Sequence, residues 1–212
     1  MLSDHIGDSI LGRFSFLNLI GRISFPIFAF QTMQGYINTK NLKKHMIKLL
    51  IFACISQIPF MLFLSTFTTN IYLNVLFTFL LGICALYIYD KCNNKVLGFL
   101  FVIIISIIAY FIKVDYGAFG ILLIFVFYFF YKNNNIKHNK LLMSISIVLL
   151  CVIHYLPNIF KSPSLICTYL SLITFTSLSL VFILFYNNKE GPKLKYFFYI
   201  FYPLHLLILY LF

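Results

Sequence analysis

Acidic residues are nearly absent from this sequence: Asp and Glu together number five among 212 residues, against sixteen Lys and Arg. Charge of both signs makes up only 10% of the chain, whereas a soluble domain carries about 25%, so no complete water-facing shell can be built from it. Tryptophan is missing, and the five cysteines show no CxxC spacing: Cys54, Cys84, Cys151 and Cys167 stand in apolar runs and Cys92 in a Lys-flanked stretch. This pattern supports neither a disulfide framework nor a metal site, and no metal is expected. Also absent are the P-loop, HExxH, GxSxG and dinucleotide fingerprints. No soluble domain, long linker or internal repeat is visible. The residues before Phe16 lack the basic start, apolar core and small-residue cleavage pattern of a signal peptide.

What remains is apolar. Hydrophobic residues make up 62% of the chain and mean hydropathy is +0.97, a composition for which a bilayer is the fitting solvent. Apolar runs extend over about Phe16–Tyr36, His45–Phe67, Ile71–Tyr89, Val96–Ile112, Tyr116–Tyr131, Leu141–Leu156, Leu165–Tyr186 and Tyr196–Phe212. Each is within or near the roughly 20 residues a spanning helix needs. The runs are continuously apolar, whereas a spanning barrel strand alternates apolar and polar over about ten residues. The sequence therefore predicts an all-α, polytopic transmembrane helix bundle of about eight spans, insoluble without lipid or detergent.

The connections alternate in charge. Lys40, Lys43, Lys44 and Lys48 follow the first run, Lys91 and Lys95 the third, Lys132, Lys137 and Lys140 the fifth, and Lys189, Lys193 and Lys195 the seventh, twelve of the sixteen basic residues. The positive-inside rule makes that side cytoplasmic. The other connections carry only Lys113 and Lys161. Because the lysines fall between apolar runs, the net charge of +11 reads as topology and lipid-headgroup contact, with the lipid bilayer rather than nucleic acid as partner. The Lys, Asn, Ile, Phe and Tyr bias resembles that of an AT-rich bacterial genome, which places the protein in a bacterial cytoplasmic membrane.

Ionisable residues inside a membrane are costly, so each is a functional candidate by default. Asp4, His5, Asp8 and Arg13 cluster near the start; Arg22 lies in the first run, Asp115 after the fourth, His154 at the end of the sixth and His205 in the last; Gln57 and Asn74 add amides within spans. A carboxylate such as Asp4 can orient an imidazole acting as base, although an Asp-His pair at a terminus is also a common solvated turn. A lone His such as His205 can equally hydrogen-bond a neighbouring helix. Arg22 stands in Gly21-Arg22-Ile23-Ser24-Phe25-Pro26, where the glycine permits close helix approach. Its planar donor fork suits a phosphate or carboxylate ligand, and a structural pair with Asp4, Asp8 or Asp115 is the other reading. Ser56-Gln57-Ile58-Pro59 and Asp115-Tyr116-Gly117 with Gly120 combine polar groups with helix breakers. Either stretch can line a site or make only a kink or turn.

Asp4-His5-Ile6-Gly7, GRISFPIFAF from Gly21, IFACISQIPF from Ile51, LNVLFTFLLG from Leu73, DYGAFGILLI from Asp115 and YIFYPLHLLIL from Tyr199 occur in this order. Together they resemble the TraX family of membrane proteins, whose namesake acetylates the N-terminus of a conjugative pilin. The likeness covers nearly the whole chain. It implies a single acyltransferase-like domain over residues 1–212, with acetyl-CoA as donor and a peptide or pilin-like amine, or a hydroxyl, as acceptor. Related multi-pass acyltransferases place a His near the start and another in a late helix, which His5 and His205 match. On this resemblance the expected catalytic residues are His5, Asp4, His205 and Asp115. Arg22, Lys40, Lys43, Lys44 and Lys48 are expected to hold the CoA phosphates, and Gln57, Asn74 and Tyr116 to contact substrate. The family usually has an apolar helix before the Asp-His motif, and here only Met1-Leu2-Ser3 precede it, so the first helix is expected to be shortened or missing. Its usual Arg before the IFACISQIPF-like stretch is Lys48 here. A small transporter or channel lined by Arg22, Asp115 and His205 is the alternative from another class, and a noncatalytic scaffold a third.

Overall fold

The computed structural model describes residues 1–11, 15–132, 136–187 and 195–211. Arg13, Lys189 and Lys193 lie outside the described residues. The helices are α1 (Leu2–Ile6), a π-helical turn (Gly7–Leu11), α2 (Phe16–Arg22), α3 (Ser24–Asn38), α4 (Leu42–Ser65), α5 (Val75–Lys91), α6 (Lys95–Phe111), α7 (Gly117–Lys132), α8 (Ile136–Lys161), α9 (Ile166–Leu184) and α10 (Lys195–Leu211). Taking α2 and α3 together, eight helical runs answer the eight apolar runs of the sequence in order. No strand forms among the described residues, where Leu73 and Val114 make an isolated parallel bridge. The protein is an all-α membrane protein. Three of its helical stretches, Leu42–Ser65, Lys140–Lys161 and Pro163–Leu184, are long and apolar enough to cross a bilayer, and Lys95–Phe111, Gly117–Lys132 and Tyr199–Leu211 are shorter and apolar.

Asparagines set several helix starts. Their side-chain oxygens accept from otherwise unpaired first-turn amides: Asn41 from Lys44 N at 2.9 Å, Asn74 from Leu76 N at 3.0 Å, and Asn94 from Val96 N at 2.9 Å. Pro59, Pro157 and Pro203 sit inside continuous helices. Ser56–Pro59 does not break its helix: α4 runs through it, because one lost backbone bond is tolerated in a helix held by packing neighbours.

The chain forms two compact units, and it passes from one to the other within α3, within α7 and again after Asn188. The first comprises Met1–Met33 and Val126–Asn188, the second Gln34–Phe125 and Lys189–Phe212. In the first, α1 packs on α2, α2 on α9 and α8 on α9. Buried Phe30 meets Phe127, Tyr131 and Tyr186 edge-on at 5.3–6.3 Å. In the second, α4 packs on α5 and α10, and α5 on α6. Phe52 stacks on Tyr199 at 4.2 Å.

Three contacts join connections of the same kind, lysine-rich with lysine-rich or lysine-poor with lysine-poor. Lys140 Nζ donates to the Leu184 carbonyl at 3.1 Å, which puts the start of α8 beside the end of α9. Tyr36 Oη donates to Asp90 Oδ2 at 2.8 Å, joining the end of α3 to the end of α5. At the other end of the second unit, the stretch before α5 and the stretch before α7 pair with one another: Leu73 N donates to Lys113 O at 3.0 Å and Asp115 N to Leu73 O at 2.8 Å.

Candidate functional site

In the first unit the polar residues converge where α1 meets α2. Asn18 is 2% exposed, and its Nδ2 donates to Asp4 O at 2.8 Å, Asp4 Oδ1 at 3.2 Å and Asp8 Oδ1 at 2.9 Å. Its Oδ1 accepts from Ser15 N at 3.0 Å and Ser15 Oγ at 2.7 Å. Asp4 and Asp8, four apart, thus present their carboxylates on the same side of the chain, toward α2. Arg22, four residues after Asn18, brings Nη2 to 3.6 Å from Asp4 Oδ1. Of its two sequence readings, the ion pair with Asp4 is formed. Gly21 makes this approach possible: a Cβ there would lie 2.4 Å from Asp4 Cβ and 2.8 Å from Asp4 Cα. Arg22 also acts electrostatically on His154 and Tyr155 of α8. His5 is half-buried on α1 next to Asp4.

The second unit holds the other candidates. Gln57 Nε2 donates to Tyr72 O at 2.7 Å, and its Oε1 accepts from Asn74 N at 3.0 Å and Asn74 Nδ2 at 2.9 Å; Asn74 Nδ2 also donates to Ala53 O at 2.8 Å. These two amides clasp the segment before α5 to the middle of α4. Asp115 is half-buried in the turn before α7. In that turn Lys113 has φ +54°, Tyr116 φ +61° and Gly117 φ +42°. A non-glycine residue in the left-handed region costs about 1–2 kcal/mol, so two within four residues hold only because neighbours fix them. Thr78 Oγ1 donates to Asp115 O, and Lys113 Nζ donates to Asn70 Oδ1 at 3.3 Å and lies 5.9 Å over the Tyr72 ring.

His205 is 4% exposed on α10. Its ring stacks on Phe201 with centroids 5.0 Å apart, and Nδ1 lies 2.8 Å from the Phe201 carbonyl oxygen. A carbonyl can only accept, so Nδ1 carries a hydrogen and donates it there. Tyr202, one turn earlier, is 6% exposed with its ring centroid 5.7 Å from that of His205. Val75, Asp115 and Tyr116 lie close enough to Tyr202 to act on its hydroxyl. Hence His205, Tyr202, Asp115 and Tyr116 share one neighbourhood with the start of α5. Lys40, Lys43, Lys44 and Lys48 are exposed around the opposite end of α4.

Of the expected site residues, Asp4, His5 and Arg22 thus belong to the first unit. Asp115, His205, Gln57, Asn74, Tyr116 and the four lysines belong to the second. Asn18 and Tyr202 join these sites without being intramembrane charges or lying in a candidate pair of the sequence. The signal for Asn18 was its i, i+4 spacing to Arg22; for Tyr202 it was its place one turn before His205.

The TraX protein family model matches residues 1–212. A probable fimbrial assembly protein FimC, serogroup H1, of Dichelobacter nodosus is 26% identical over 93% of this chain and 82% of its own length. No solved structure matches. A family match that runs from the first residue to the last, on an all-α membrane fold, assigns this chain to the TraX family.

Proposed function

We propose that the protein is a membrane acetyltransferase that moves an acetyl group from acetyl-CoA to an amine, such as a peptide or pilin-like N-terminus, or to a hydroxyl. The observation that carries this reading is His205, a buried imidazole on α10 whose Nδ1 lies 2.8 Å from the Phe201 carbonyl oxygen, a contact that holds the ring in place. Such a group serves as a general base. The acceptor nitrogen or oxygen attacks the thioester carbonyl and gives its proton to the imidazole, the C–S bond breaks, and CoA leaves as the thiol once it takes that proton back. His5 beside Asp4 is the second candidate base, and transient acetylation of either ring is the other route open to this chemistry. Lys40, Lys43, Lys44 and Lys48, with Arg22 as a further candidate, offer cations for the CoA phosphates. The fimbrial assembly relative favours a pilin-like acceptor.

Acetyl-CoA is cytoplasmic, so the lysine-rich connections belong inside, in a bacterial cytoplasmic membrane. A cysteine introduced in place of Asn93, in a background without native cysteines, is expected to escape membrane-impermeant thiol reagents in intact cells and react after permeabilisation. Strong labelling of intact cells would reverse the orientation.

Coenzyme A is expected to raise the melting temperature of the detergent-solubilised protein, because a ligand held only by the folded state stabilises it by about 2.7 kcal/mol at a hundredfold excess over Kd. For a chain of this size that is roughly 5–10 °C. Radiolabelled acetyl-CoA offered with peptide, sugar and lipid acceptors then tests transfer itself. Absence of any shift at millimolar coenzyme A, with folded protein, would favour the transporter reading, which irregular backbone beside a helix start also fits.

A further inference from the structure

In the second unit the helices differ in length in a way that places polar backbone at membrane depth. Helix α4 has 24 residues and spans about 36 Å at 1.5 Å per residue. Helices α5 and α6 have 17 residues each, or about 26 Å, short of the roughly 30 Å hydrocarbon core. The shortfall falls at one end. At the lysine-rich end the end of α5 is tied to the end of α3 through Tyr36 and Asp90. At the other end Asn74, the cap of α5, is bonded to Ala53 and Gln57, twelve and eight residues before α4 finishes at Ser65. The start of α5 therefore lies about 12–18 Å below the end of α4.

The non-helical residues 69–74 descend to that level and pair there with the Lys113–Asp115 turn. Extended backbone at such depth is stable only where it is covered by protein or faces water. Here it carries Asn70, Lys113, Asp115 and Tyr116, none of them fully buried. Beneath them the Ser56 hydroxyl is 0% exposed with no hydrogen-bond partner among the described residues. It lies on the same side of α4 as Ala53 and Gln57, by the i, i+3, i+4 relation.

We infer that residues 69–74 and 112–117 line a water-filled recess that opens at the end of the unit opposite the lysine-rich connections and admits the polar end of the acetyl acceptor. That use rests on the acetyl-transfer reading; the recess does not. The recess leads toward Tyr202 and His205, so an acceptor amine or hydroxyl entering it approaches the base from the side opposite the lysines.

The test uses full-length protein in lipid, with native cysteines replaced and single cysteines introduced as Tyr116→Cys, Tyr72→Cys and Ile58→Cys. Ile58 stands next to Gln57 on α4 at the same depth and is 70% exposed, which in a membrane means lipid-facing. A small, charged, water-soluble thiol reagent is expected to modify the Tyr116 and Tyr72 variants at least tenfold faster than the Ile58 variant. Two results would overturn the recess. If all three are equally slow, the segment is sealed by protein or lipid. If all three are equally fast, the bilayer thins around the short helices and no recess is needed. Neither result depends on turnover, so failure of the recess and failure of acetyl transfer are read separately.

Discussion

His205→Ala is expected to lower acetyl transfer by about 10²–10⁴-fold, the usual scale for removing a general base, while acetyl-CoA still binds. On the proposed reading the donor is held by cations, whereas His205 is buried on α10 beside Phe201 and Tyr202. A buried ring also packs, so truncation alone confounds chemistry with stability. His205→Gln separates the two: it keeps an amide of similar reach that can hydrogen-bond the Phe201 carbonyl, yet it cannot accept the acceptor's proton at neutral pH. Both variants should bind coenzyme A and fail to turn over. If Gln restored transfer, the ring would be a packing element. His5→Ala supplies the comparison, since His5 is half-buried and its loss leaves little cavity. Near-normal turnover in both His5→Ala and His205→Ala would rule out the roles proposed for these two rings.

Much of the fold was legible because hydropathy reports burial in lipid directly. Eight apolar runs became eight helical stretches in the same order, and the alternation of lysine-rich and lysine-poor connections reappeared as real neighbours, in Lys140 beside Leu184 and in Leu73 beside Lys113. Hydropathy is blind, however, to backbone conformation. Ile71, Tyr72 and Leu73 are as apolar as a helix start, so hydropathy begins the third span at Ile71, whereas α5 begins at Val75. The available signal was Asn74, a residue that caps helices far better than it continues them. The positive φ of Lys113 and Tyr116 had no sequence signal, because only glycine advertises that conformation. At the site, Arg22 and Asp4 were both visible as costly charges. Their pairing, and the Asn18 amide between the carboxylates, depend on contacts across 10–18 residues that no periodicity encodes.

The same junction sets the largest expected effect on folding. Gly21→Ala places a methyl group 2.4 Å from Asp4 Cβ and 2.8 Å from Asp4 Cα. Both distances are below any real carbon contact, and the second is to backbone, so α1 itself must move. Alanine gains up to about 1 kcal/mol of helix propensity over glycine, but overpacking of this kind costs roughly 1–3 kcal/mol. The displacement also pulls Asp4 from Asn18 and Arg22, and a hydrogen bond to a charged group is worth about 1.5–3 kcal/mol. The sum is unfavourable by a few kcal/mol, and Gly21→Ala should melt well below wild type or fail to accumulate in the membrane. Gly35→Ala is the matched control, since a Cβ there meets only the His45 ring at 3.5 Å, an ordinary contact. It should gain the propensity term without the collision and melt at or slightly above wild type. Equal melting temperatures for the two variants would mean that α1 is not held against α2 at Gly21, and that the carboxylates of Asp4 and Asp8 are positioned by something other than Asn18.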